Sequence, residues 1–175
     1  MTPLLFALIV VSASPIEQAA PAANPTIGSI RSMTEQVKGY LTKAAAQVPE
    51  DMYAFKPTPQ VRSTGEIFAH VADANFMICG MASGQKPPMS GIEKSKKTKA
   101  EISEALTASF AFCDKALAGL TDAQANETIK FFIPGTHTRL GVLAFNAAHD
   151  FEHYGNIVTY MRLKGLVPPS SAGRM

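Results

Sequence analysis

Four histidines occur in the 175-residue chain, and three fall where helices are expected. His149 and His153 are four residues apart, so on a helix they share a face, with their side chains one turn apart. That spacing lets two imidazoles reach one metal ion. His70 lies among Ile67, Val71 and Ala74, the apolar face of a second expected helix. A histidine there is tolerated when it is hydrogen-bonded, neutral or metal-bound. The residue types leave two readings open: satisfied core histidines, or a three-histidine metal site. Three imidazoles around a divalent ion leave a coordination position free, which is the catalytic pattern; structural zinc sites are usually closed by four protein ligands. A cation held this way acidifies bound water and polarises a substrate oxygen or sulfur. Zinc and nickel both suit imidazole, and the ligand types do not separate them.

The neighbours of the histidines extend the pattern. At about 100° per residue, Val142, Asn146, Asn156 and Tyr160 continue the stripe of His149 and His153. Leu143, Ala147, Tyr154, Val158 and Met161 form the adjoining apolar face. A polar ridge beside a core face points into a pocket. Asn146 and Asn156 are candidates to hydrogen-bond the imidazoles or to touch a substrate. Tyr160 could orient a substrate or simply pack. His149 to His153 also fits the H-x-x-E-H pattern of zinc proteases, with Glu152 as general base. The third histidine lies far upstream, and Glu152 sits roughly 60° off the His149 direction, which argues against a protease. Glu152 stays a candidate for proton transfer, with a solvated carboxylate as the alternative. Asp150 reads as a surface acid and His137 as a loop residue beside Pro134-Gly135.

The elements that must carry these side chains are helical. Ile30, Met33, Val37, Tyr40, Leu41 and Ala44 recur at three- and four-residue steps and predict a first helix from about Ile27 to Gln47, stopped by Pro49. Ser63 and Glu66 have capping-box spacing and open a second helix, which carries His70 and closes at Gly84 before Pro87-Pro88. Thr98 and Glu101 repeat that spacing at the start of a third helix, striped by Ile102, Leu106, Phe110, Cys113 and Leu117. Between Glu127 and Thr138, a β-prone Thr-Ile-Lys-Phe-Phe-Ile run before Pro134-Gly135 predicts a short extended stretch or hairpin. The fourth and longest helix runs from about Arg139 to Lys164, with Gly165 suited to a left-handed cap and Pro168-Pro169 preventing continuation. These elements predict an all-α fold, a four-helix bundle over residues 26–169 with a tail at 170–175.

Composition narrows the function classes. One domain fits this length. With 46% hydrophobic and 17% charged residues, the chain is neither a disordered polar polymer nor a membrane bundle. Lys plus Arg is 16 against 14 acids, and no basic stripe is interleaved with aromatics, so nothing argues for nucleic acid. The run Lys94-Ser95-Lys96-Lys97-Thr98-Lys99 reads as a solvated loop and helix entry. Leu4 to Val11 form an apolar run too short for the ~20 residues that span a bilayer, so no stable membrane anchor is expected. Small residues follow it, which is a secretory signal pattern, although no Lys or Arg precedes Leu4. Residues 1–25 are thus expected to be a signal peptide or a disordered Ala/Pro tail. The first makes the protein periplasmic or secreted, the second cytoplasmic. Cys79 and Cys113 lie on different expected helices and read first as buried small hydrophobes. An oxidising compartment would let them pair.

The segment Ser63-Thr-Gly-Glu-Ile-Phe-Ala-His70, followed by His149-Asp-Phe-Glu-His153-Tyr-Gly-Asn-Ile-Val-Thr-Tyr-Met-Arg-Leu-Lys-Gly-Leu-Val-Pro-Pro169, resembles the DinB-like (YfiT-like) superfamily over roughly residues 28–169. The resemblance implies a bundle of up-up-down-down connectivity, often a homodimer, in which His70, His149 and His153 bind a divalent metal. It also implies chemistry of a thiol-dependent transferase or isomerase kind, with a low-molecular-weight thiol as possible cofactor and a small molecule as substrate. The leading expectation is a metal-dependent enzyme that activates a thiol or water for transfer to, or hydrolysis of, a small electrophile. The alternatives are a non-catalytic metal-binding or stress-associated dimer, and an interaction module with core histidines.

Overall fold

The computed structural model describes residues 24–173. The expected signal segment therefore lies almost wholly outside the described residues. Four long helices dominate: α1 (Pro25–Gln47), α2 (Thr64–Ser83), α4 (Lys99–Ala118) and α6 (Arg139–Leu163). Two short ones, α3 (Ile92–Ser95) and α5 (Asp122–Ala125), sit in the connections, with 3-10 turns at Glu50–Ala54 and Pro169–Ser171. Both expected capping boxes form, Ser63 with Glu66 and Thr98 with Glu101. Thr121 and Gln124 make a third on α5. α2 stops where Gly84 turns left-handed at φ 70°. The last helix ends one residue earlier than expected, and Gly165 takes φ 73° beyond it. No helix among the described residues is long and apolar enough to cross a membrane.

Side-chain pairings fix the helix directions. Along α2, Asn75 meets Ser109 and Cys79 meets Cys113, so α2 and α4 run parallel. His70 meets His149, Asn75 meets Asn146 and Ala82 O accepts from Arg139, so α2 and α6 run antiparallel. Lys38 bonds Asp114 while Lys99 reaches Val48 O, which sets α1 against α4. Tyr40 stacks on Tyr154 and Gln47 reaches Val167 O, so α1 runs alongside α6. The bundle is all-α and four-helical as expected, but its directions in chain order are up, down, down, up, in place of up-up-down-down. The cause is the connection 84–98. It returns along the length of α2, roughly 30 Å for its 20 residues, to start α4 at the same end. A chain reaching ~3.3 Å per residue does this with slack to spare, and α3 uses the slack.

The main core cluster draws aliphatic and aromatic side chains from the four helices, with Phe68, Phe76, Phe110, Leu41 and Met161 fully enclosed, and a second cluster gathers Ile27, Ile78, Val142 and Leu143. Cys79 and Cys113 are not separate small hydrophobes: they form a disulfide, with Cα atoms 5.2 Å apart. Parallel packing of α2 on α4 brings the two positions into register, which helix assignment alone could not show. The hairpin is shorter than its β-prone sequence. Only β1 (Thr128–Ile129) and β2 (His137–Thr138) pair, with Ile129 opposite His137. His137 is thus a strand residue, and its Nε2 contacts Ile133 O at 3.0 Å.

At the N-terminus of α1, Asn24 offers no side-chain cap to its own helix. Asp122 caps it from across the bundle, its carboxylate accepting from Ile27 N at 2.9 Å and Thr26 N at 3.1 Å, while Asn24 Oδ1 accepts from Asp122 N. These backbone donors hold the Asp122 carboxyl below its ordinary pKa. A depressed folded-state pKa contributes stability that is complete above the unfolded value, about 4, and is lost as pH falls through the folded value. Asp122→Ala should therefore lower the melting temperature at pH 7, and the gap to wild type should close as pH drops below ~4. A gap that persists at pH 2 would refute the cap. For the disulfide, whose cysteines are 34 residues apart in sequence, removal should cost about 3–4 kcal/mol. Urea unfolding with and without reductant measures this, and identical midpoints would contradict the bond.

Candidate metal centre

The centre is built where α2 and α6 cross the middle of the bundle. His70 projects from the second turn of α2; His149 and His153 project from successive turns of α6. His70 and His149 are half-buried and His153 is 8% exposed. Their Nε2 atoms converge: His149 Nε2 lies 3.2 Å from His70 Nε2 and 3.1 Å from His153 Nε2. One ring nitrogen from each lies within 4.8 Å of the others. A tetrahedral zinc with bonds of 2.0–2.1 Å places its nitrogens roughly 3.3 Å apart, so the spacing fits a single ion.

The opposite side of each ring explains which nitrogen faces inward. His70 Nδ1 donates to Glu93 Oε2 at 3.2 Å, and His153 Nδ1 donates to Asn156 Oδ1 at 3.2 Å. Both acceptors require the proton on Nδ1, which leaves the Nε2 lone pairs pointing at one another. His149 Nδ1 is buried without a hydrogen-bond partner among the described residues, and Asp150 Oδ1 lies 3.9 Å from it. Burial, followed by the charge of Arg62 and then of His149, lowers the His70 pKa. Burial, and then the charge of His149, takes His153 down to about 4. The neutral imidazoles this favours are the metal-binding form. The Nε2 atoms of His70 and His153 are thus free to coordinate, and three converging imidazole nitrogens fit a divalent ion.

A built support stands behind the rings. Glu93 is on α3, outside the long helices. Asp73 of α2 fixes α3 by accepting from Ile92 N at 3.0 Å and Glu93 N at 2.9 Å. Arg62 Nε donates to the other Glu93 oxygen at 2.8 Å. The crossover thus delivers a carboxylate to His70. Asp150 corrects the sequence expectation: it is wholly buried, and desolvation pushes its carboxyl up to about 6. Asn75 and Asn146 lie beside it. With the Asn75 amide oriented to donate, its nitrogen is 3.2 Å from Asp150 Oδ2 and 3.3 Å from Oδ1, the assignment that best satisfies a buried carboxyl.

The remaining expected residues divide. Asn156 contacts His153 directly, whereas Asn146 is buried behind the site with Asn75. Beside His153 opens a cavity of about 580 Å³ lined by Arg62, Glu93, Glu152, Asn156 and Tyr160. Tyr160 donates to Arg62 O at 3.0 Å, and Glu152 is an exposed residue of the cavity wall. Sequence reading missed Glu93, Asp73 and Arg62. Glu93 adjoins the lysine-rich run, and no periodicity connects it with a histidine 23 residues away.

Comparison with known proteins comes to the same fold. The structure is similar to a DinB-like protein from Bacillus subtilis, with TM-score 0.67 and 20% identity over 84% of this chain and 99% of that one. A DinB-like protein from Bacillus cereus gives TM-score 0.71 and 16% identity over 82% and 95%. A mycothiol-dependent maleylpyruvate isomerase gives TM-score 0.62 and 12% identity over 75% of this chain and 60% of that one. No curated protein matches the chain. Residues 33–157 match the sequence profile of the DinB superfamily, and the chain belongs to that family.

Proposed function

We propose that this protein is a metal-dependent enzyme in which His70, His149 and His153 hold one zinc or nickel ion. Its reaction would be activation of a thiol or water against a small electrophilic substrate. The observation that carries the reading is the convergence of three Nε2 atoms, two of them backed by an Nδ1 acceptor. A bound divalent ion supplies Lewis acidity and brings a thiol or water toward ionisation near neutral pH. The chain does the rest. Glu93 and Asn156 fix ring orientation and keep each proton on Nδ1. Arg62 holds Glu93 in place. Glu152, on the cavity wall, is placed to accept a proton from a group entering there, and Tyr160 closes the far side.

The structural similarity to a mycothiol-dependent isomerase supports the thiol branch. The Cys79–Cys113 disulfide, with the apolar N-terminal run, supports work in an oxidising compartment outside the cytoplasm, where water is the more available nucleophile. Function as a homodimer belongs to the same proposal.

Plasma mass spectrometry on the protein should find about one zinc or nickel per chain, and His149→Ala should lose it. Protein that stays metal-free against a panel of divalent ions would overturn the reading. Glu93→Gln should keep the fold and weaken metal affinity about 10- to 100-fold in a chelator competition. Unchanged affinity would remove Glu93 from the site. Turnover in a screen of thiol transfer and electrophile hydrolysis separates an enzyme from a metal-binding protein without catalysis.

A further inference from the structure

The polar cavity lies on one side of the triad only. Along α6 it extends from His153 toward Tyr160. On the other side, one turn before His149, the helix presents Phe145. The rings of Phe145 and His149 are close to parallel, at 24°, with centroids 6.4 Å apart. Phe145 is 36% exposed, although it stands beside a buried site. The hairpin loop leans two more rings on it: Phe131 at 5.4 Å and Phe132 at 6.1 Å between centroids. Phe132 is 52% exposed. These are the separations at which aromatic rings attract. Their arrangement leaves a continuous apolar surface that begins at a candidate metal-binding imidazole and faces outward. Clustered exposed apolar side chains, unlike single ones, point to a binding role.

We propose that Phe145 and Phe132 form an aryl-binding wall, so that the site takes substrates carrying an aromatic or similarly bulky apolar group close to the atom that meets the ion. The inference rests on the metal reading above and adds its substrate class. One helix then presents both halves of the specificity. Positions 152, 156 and 160 face polar groups of the substrate; position 145 faces its apolar group. Phe131 and Phe132 lie beyond the two paired residues of β1 and pack on Phe145.

Cobalt(II)-loaded protein provides a readout independent of turnover. A thiol that binds as thiolate gives its proton to the buffer and its sulfur lone pair to the cobalt, with no change in oxidation state, and a sulfur-to-cobalt absorption band appears. Titration should show benzyl mercaptan binding about tenfold more tightly than 2-mercaptoethanol, which has no aryl group to place against the rings. In F132A/F145A the ratio should fall to near one while cobalt uptake and its visible spectrum stay as in wild type; that uptake is also the control for folding. Equal affinities in wild type, or a preference that survives the replacements, would overturn the aryl wall and leave the metal reading standing. No cobalt uptake by wild type would overturn both. If the replacements instead convert a dimer to a monomer in sedimentation and leave the preference intact, the rings are a self-association surface and the proposal fails.

Discussion

Three imidazoles aimed at one point in a half-buried site constitute the constraint on which the site depends. Burial lowers the pKa of both His70 and His153, so the surroundings oppose adding protons there. A cation at the centre would satisfy all three inward nitrogens. α2 and α6 are held in register by hydrophobic packing and by the buried Asn75, Asn146 and Asp150 group. An ion held there would act on the same pair of helices as the core, and its binding free energy would appear in part as stability of the fold.

The path of the chain explains how the support of the site is supplied. Because α2 and α4 are parallel, the segment between them must travel back along the bundle. It passes His70 on the way, and Asp73 stops it there by capping α3. A bundle of simple hairpins would have no such strap and no Glu93 at this place. The same parallel packing sets Cys79 opposite Cys113.

Much of this was legible in the sequence. Apolar periodicity and the Ser63–Glu66 and Thr98–Glu101 boxes placed the long helices to within a few residues, because both signals are local. The i, i+4 spacing of His149 and His153 was equally local, and the DinB resemblance joined His70 to them. What stayed hidden depends on tertiary packing. Asp150 looked like a surface acid because an aspartate beside a histidine normally is one, and its burial follows from Asn75 on another helix. The helix directions depend on where residues 84–98 run, and nothing in that stretch shows its course. Phe131 and Phe132 signalled a strand by propensity; in the fold they lie outside the ladder and contact Phe145, a tertiary contact that propensity does not carry.

Glu93 sits on a strap, not on a packed helix, and this separates two scales of motion. Residues 84–98 include one four-residue helix and many exposed positions, so they belong to the part of a fold that opens at low free-energy cost, while α2 and α6 open only with the whole bundle. A transient lifting of the strap would free the far side of His70 without disturbing the core. Escape of an ion from the triad would then follow the breathing of this one segment, and a protein with very slow global unfolding could still exchange its metal quickly.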